Sequence, residues 1–194
     1  MDGRSEDPAA DRLKGVDFAR RALEVAADDP GVLANAADAL THFGEEINAM
    51  VALIDRALAL NPSFARGWHI SGVIRLMAGQ PDIAIEHVET ALRLSPRARV
   101  GSSFLVAGMA HFISRRFDEA VPKLLLADQD NPSFSQPYRV LAACYAHLGR
   151  LDDARATVAQ LRTISVLRQD ASFLRNAEHR ELVLSGLRLA AGEE

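Results

Sequence analysis

"WHISGVIRLMAGQPDIAIEHVETALRLSP", residues 68–96, spells out one structural unit from end to end. Trp68 opens it, and Gly72 is small one helical turn later. Gly79, Gln80, Pro81 and Asp82 then interrupt the apolar pattern, which resumes with Ala84, Val88 and Ala91 and stops at Pro96. A glycine ends a helix by adopting a left-handed backbone, and an aspartate in the first turn of the next helix favours its positive end. Proline halts the second helix because it has no backbone N–H to continue the ladder. The stretch therefore predicts helix, tight turn, helix.

The same punctuation recurs along the chain. Pro30, Pro62, Pro96 and Pro132 are separated by 32, 34 and 36 residues. The turn segments "AGQPDIA", "SRRFDEA" and "LGRLDDA" place Asp82, Asp118 and Asp152 two residues before Ala84, Ala120 and Ala154. Small residues keep a common register: Gly72, Ala84 and Ala91, then Gly108, Ala120 and Ala127, then Ala142 and Ala154, with Leu161 in the third place. Small side chains there let two antiparallel helices approach closely. Trp68, Phe104, Tyr138 and Tyr145 on first helices, and Val88, Leu124 and Val158 on second helices, fill the remaining space. "NPSF" occurs at 61–64 and again at 131–134, two periods apart, where it ends one unit and starts the packing of the next. The earlier unit is looser, since "FGEEINAM" (43–50) makes its turn one residue longer. "SPRARVGSS" (95–103) lengthens one link.

Units near 31–62, 65–96, 101–132 and 135–164, with one helix before them over 11–29, resemble the tetratricopeptide repeat, a helical hairpin of about 34 residues. The expected fold is all-α: a right-handed superhelical solenoid of antiparallel helix pairs. The repeat stops near residue 164. "SVLRQDASFLRNAEHRELVLSGLRLAAGEE" (165–194) keeps helical spacing in Leu182, Val183, Leu187, Ala190 and Ala191. It reads as a link and an end helix capping the last unit's apolar face, which repeat stacks require. Residues 1–10 are expected to form a flexible arm.

Composition narrows the function. The net charge of −4 disfavours general binding to nucleic acid or to an anionic membrane, and no run of residues is apolar enough for a span. The N-terminal residues are polar and lack the apolar core of a secretory signal. Cys144 is the single cysteine, so no intrachain disulfide can form, and a cytoplasmic location is expected. Residues 1–60 carry 12 acidic and 6 basic groups, whereas residues 61–194 carry 14 acidic and 16 basic ones, with Arg162, Arg168, Arg175, Arg180 and Arg188 of the tail contributing to the shift. That asymmetry reads first as a solvated surface and second as two faces that pair chains.

No glycine-rich phosphate loop, nucleophile elbow or His-Glu-x-x-His is present, and the paired carboxylates lie in turns. The expectation is a protein that is not an enzyme, with no catalytic residue, no metal and no cofactor. His42, His111 and His147 lie at the ends of first helices, where a partly charged imidazole suits the negative helix end. Successive repeats would hold them roughly 10 Å apart, too far to share a zinc ion. His87 and His179 read as surface residues, and Cys144 as a small buried hydrophobe.

The resemblance also implies a concave groove lined by the first helices. The family's groove positions fall on Arg66, His69, Val73, Leu76 and Met77 in one unit. They fall on Ser102, Leu105, Met109, Phe112 and Ile113 in the next, and on Gln136, Arg139, Ala143, Ala146 and His147 in the last. The lysines and asparagines with which chaperone-binding members hold a peptide carboxylate are absent from these positions. The implied partner is another protein or a peptide segment with an apolar face and an acidic group near Arg139. The competing expectation is that the stripe is covered by the chain's own C-terminal segment or by a second copy in a homodimer. The segments "ALIDRALALNPSFARGW", "LAACYAHLGRLDDARATVAQLR" and "HRELVLSGLRLAAG" further resemble the C-terminal repeat region of bacterial class III adenylate/guanylate cyclases and some winged-helix regulators. This implies, as the alternative to a scaffold, a regulatory or dimerisation module. No cyclase residue carries over, because the matching portion of this chain holds repeats alone.

Overall fold

The computed structural model describes residues 7–96, 101–165, 171 and 174–192. Among these residues there are ten α-helices and no strand: α1 (Pro8–Val25), α2 (Pro30–His42), α3 (Ile47–Leu60), α4 (Ala65–Met77), α5 (Pro81–Leu94), α6 (Gly101–Ile113), α7 (Phe117–Asp130), α8 (Ser135–His147), α9 (Leu151–Ile164) and α10 (Ala177–Ala191). Helices α2 to α9 form four antiparallel pairs, and each new pair stacks mainly on the second helix of the one before. The chain is an all-α solenoid of tetratricopeptide type, with a C-terminal helix at its end. The lengthened link lies largely outside the described residues, as does Arg168. Residues 8–10, read as part of a flexible arm, belong to α1, which starts at Pro8 because Asp7 accepts a hydrogen bond from the Ala10 amide and caps it; residues 1–6 lie outside the described residues.

The small residues act as notches. A Cβ on Gly72 would lie 2.4 Å from Val88 Cγ1, and one on Gly108 would lie 2.7 Å from Leu124 Cγ. Ala84, Ala120 and Ala154 are fully buried at the facing positions, with Val88 and Leu124 equally so. The turns between paired helices obey one rule. Gly79 (φ 75°) and Gly149 (φ 73°) hold the left-handed position, and Arg115 (φ 59°) holds it in the third turn without a glycine's freedom. The extra residue of the first turn is real: four residues separate α2 from α3, with Gly44 left-handed and Glu46 capping α3 through the amides of Asn48 and Ala49.

The two NPSF copies behave alike on the backbone and differently at the phenylalanine. Asn61 and Asn131 are helix C-caps, and both prolines offer a carbonyl to the aromatic six residues on. Trp68 Nε1 donates to Pro62 O at 2.8 Å, and Tyr138 Oη to Pro132 O at 3.5 Å. The Phe64 ring lies over Gly67, so close that a Cβ there would meet it at 2.6 Å. Seventy residues later Pro137 replaces that glycine, no notch exists, and Phe134 is left 45% exposed. The expectation that both phenylalanines start the packing of the next unit holds for the first copy only.

The histidines at first-helix ends also diverge from a single role. His42 is exposed and its Nδ1 lies 2.9 Å from the Asp38 carbonyl. His111 is buried, and its Nδ1 lies 3.6 Å from the Glu119 carboxylate, beyond hydrogen-bond range. Burial holds its pKa below the ordinary value. Glu119 and Glu89 oppose that shift, and Arg116 and Lys123 add to it. Burial thus works against the partly charged imidazole expected at this helix end. His87 is not a surface residue: it shares a 2.8 Å hydrogen bond with Ser71 Oγ and sits edge-on to Trp68. Its pKa is also lowered, by burial first, as is that of the half-buried His179.

Three outcomes follow. Gly108→Val drives two carbons into Leu124 and is expected to cost about 2 kcal/mol, roughly 4–8 °C in Tm by calorimetry. Arg115→Gly relieves the left-handed strain and is expected to gain about 0.5–1 kcal/mol, seen as a rise of roughly 2 °C. The unfolded chain takes up protons on these histidines near pH 6.5 while the folded chain resists, so their contribution is whole above about pH 6.5 and is lost as pH falls. Thermal melts should show Tm dropping as pH falls below about 6.5, with a smaller drop in His111→Gln.

Candidate functional site: the concave groove

The first helices α2, α4, α6 and α8 lie side by side and make one wall of the solenoid. The groove positions read from the sequence lie on α4, α6 and α8, and burial divides them into two parts. Arg66, His69 and Val73 remain accessible. With Asp38 of α2, Leu92 and Ser95 of α5, and Ser102 and Ser103 of α6, they line a pocket of about 470 Å³. Arg66 donates to Asn35 Oδ1 at 3.0 Å, which holds its guanidinium at the pocket edge. His69 Nδ1 is 2.9 Å from Ser103 Oγ, and burial lowers its pKa ahead of opposing Asp38. This is a polar opening with an apolar floor from Ile70 and Val73.

The remaining part is closed. Leu76, Leu105, Met109, Phe112 and Ile113 are buried, Phe112 to 1% exposure. They belong to one apolar cluster that also contains Ala171, Leu174, Leu182, Val183, Leu187 and Ala190 from the C-terminal segment. The end helix does not stack as a fifth unit would. Helices α4, α6 and α8 each lean on the second helix of the preceding pair, whereas α10 packs chiefly on the first helix, α8. Gly186 allows this: a Cβ there would lie 2.7 Å from Ala143 Cβ and 2.9 Å from His147 Nε2. His147 donates from Nε2 to the Leu182 carbonyl at 2.8 Å, and its ring stacks on Phe117 at 5.0 Å. Ala143 and His147, read as partner-binding, thus touch the chain itself. Arg139 is half-buried beside them on α8.

The segment before α10 reaches further. Arg175 donates from Nη1 to Glu45 O and from Nη2 to Thr41 O, each at 2.8 Å, across 130 residues or more of sequence. Arg180 ties this strap to α10 through the carbonyls of Leu174 and Arg175 at 2.8 and 2.7 Å. Asn176 caps α10 with its side chain. Met77 lies at the same corner with Thr41, His42 and Gly44. Of the two coverings weighed from the sequence, the intramolecular one occupies this part of the groove. The strap was not read from the sequence, because its acceptors are main-chain carbonyls whose residue types carry no signal. The longer first turn, which presents Glu45 O, was the one visible trace.

Among the described residues no group of three or more His, Cys, Asp or Glu side chains is placed to hold a metal. Cys144 is fully buried, and burial pushes its thiol up, away from the reactive thiolate. No helix among them is long and apolar enough to cross a membrane.

No family model matches the chain. The cytochrome c-type biogenesis protein CycH of Rhizobium meliloti (strain 1021) is 31% identical over 115 residues, which are 57% of this chain and 30% of that protein. The chain thus spans less than a third of that relative. The crystal structure of YrrB, a TPR protein with an unusual peptide-binding site, superposes with a TM-score of 0.61 over 90% of this chain and 91% of its own, at 24% identity. A crystal structure of MamA gives 0.65 over 82% and 95%, at 16% identity. These likenesses establish the fold, a tetratricopeptide-type solenoid.

Proposed function

We propose that the protein is a non-catalytic protein–protein interaction scaffold that takes a polypeptide segment in its concave groove. The observation that carries this reading is that the groove already holds one. Leu174 is buried in the apolar cluster that includes Leu76, Met109 and Phe112, and the Arg175 side chain donates to the main-chain carbonyls of Thr41 and Glu45 at the far end. A surface that accommodates a segment in cis has the shape and acceptors to take one in trans. The open part, with Arg66, His69 and Val73 around an apolar floor, is where an incoming segment first finds room. Arg66 suits an acidic side chain there, and methionines at 77 and 109 adapt to irregular partners. YrrB, similar in fold, is described as having a peptide-binding site, which agrees with this use of the fold. The alternative, a dimerisation module of nucleotide-cyclase or transcriptional signalling, rests on sequence resemblance and draws no support from the relatives named above.

Selection of displayed random peptides on the intact chain tests the reading. The selected peptides should lose at least tenfold in affinity for Val73→Asp, a half-buried position, while the circular dichroism of that variant stays unchanged. Selection of no peptide, or binding indifferent to Val73→Asp, would overturn it.

A further inference from the structure

The strap's end has the form of a recognition site for a particular dipeptide. Helix α2 ends at His42, and the carbonyls of Ala39, Leu40 and Thr41 accept from the amides of Phe43, Glu45 and Gly44 in the turn that follows. Two carbonyls at this corner, Thr41 O in the last turn and Glu45 O in the longer turn that follows, receive the two outer nitrogens of one guanidinium. A cation at this end is also favoured by the helix dipole. Two acceptors spaced for a planar fork select arginine over lysine, whose ammonium is a single point donor. The preceding side chain, Leu174, is 1% exposed and joins the apolar cluster of Met109 and Phe112. The amide of Leu174 itself is spent inside the strap, on Ala171 O at 3.0 Å. A site of about 580 Å³ remains around these groups, lined by Met77, His42, Gly44 and Arg180 as well.

We propose that Leu174–Arg175 is an intramolecular stand-in, and that the corner between the α2–α3 turn and the end of α4 is a docking site for a separate polypeptide bearing an aliphatic residue followed directly by arginine. The proposal rests on the scaffold reading above and names the chemistry of its ligand. The strap is anchored beside the site by α10 through Arg180, so it competes at the high effective concentration of an attached ligand. An incoming segment wins only when it adds contacts elsewhere, and the open pocket at Arg66, His69 and Val73 on the same wall supplies them. The two sites together make a groove that rejects weak ligands and admits one that fills both.

The test uses the full chain and a fluorescent peptide with the sequence of residues 171–181, "ASFLRNAEHRE". The double variant Leu174→Ser, Arg175→Ala empties the stand-in without altering α10. It is expected to bind the peptide at least tenfold more tightly than the unaltered chain. A peptide with lysine in place of its first arginine is expected to lose at least tenfold of that affinity. Equal binding by both proteins, no binding by either, or indifference to the lysine exchange overturns the proposal. Should the double variant fold poorly, amide exchange on the unaltered chain decides: the Leu174 amide should exchange far faster than amides of α6 to α8, by opening of the strap alone. Exchange only through global unfolding overturns the proposal. A dimer that disappears in Arg175→Ala would make a second copy the partner and also overturn it. Peptides selected through Val73 would leave the scaffold reading standing in each case, so the two failures are distinguishable.

Discussion

Everything in this fold depends on how closely two antiparallel helices can approach inside each pair. The approach is set where Gly72 meets Val88, Gly108 meets Leu124 and Ala142 faces Ala154 and Val158. These contacts leave no room for an added carbon at the glycines, so each pair has one spacing and one register. The next pair then receives a surface of fixed shape, and four pairs repeat it. The inner wall made by α2, α4, α6 and α8 is a consequence of this packing, as is the groove it forms. Ion pairs also join neighbouring units: Arg116–Asp82 is exposed and adds little beyond specificity of register, whereas the Arg75 side chain is 14% exposed where it meets both oxygens of Asp55.

Much of this could be read from residue spacing. Prolines and glycines announce their own backbone requirements, and small residues in fixed register announce helix contacts. Even the unequal phenylalanines of the two NPSF copies were written in the chain, as Gly67 in one and Pro137 in the other. The candidate site was legible in a different degree. Arg66, His69 and Val73 were named by the resemblance to the repeat family, and they line one pocket. The placing of α10 against α8 was not legible, because an apolar stripe such as Leu182, Val183 and Leu187 specifies only that something is covered. Arg175 was still harder to anticipate, since its partners are the carbonyls of Thr41 and Glu45, which any residue would offer. The lowered pKa of His111 comes first from its burial, not from its place at a helix end.

The groove therefore combines two kinds of surface on one wall. One part is open, polar at the rim and apolar at the floor. The other is filled by side chains of the same polypeptide, which removes a broad hydrophobic stripe from water. Met109, Phe112 and Ile113 would otherwise form an exposed patch of the kind that promotes association. Intramolecular covering thus answers a solubility problem that the repeat geometry creates when a stack ends.

The reach of Arg175 has a consequence for how the chain assembles. Stacked hairpins form from contacts near in sequence, so they need little loop closure and can grow from any unit. The bonds from Arg175 to Thr41 and Glu45 join residues 134 and 130 apart. Their two ends come within reach only when every intervening pair is already in place at its proper spacing. An inserted or misregistered helix anywhere between them would carry the guanidinium away from its carbonyls. The strap is in this sense a ruler laid along the solenoid, and its closure records that the whole stack has the right length.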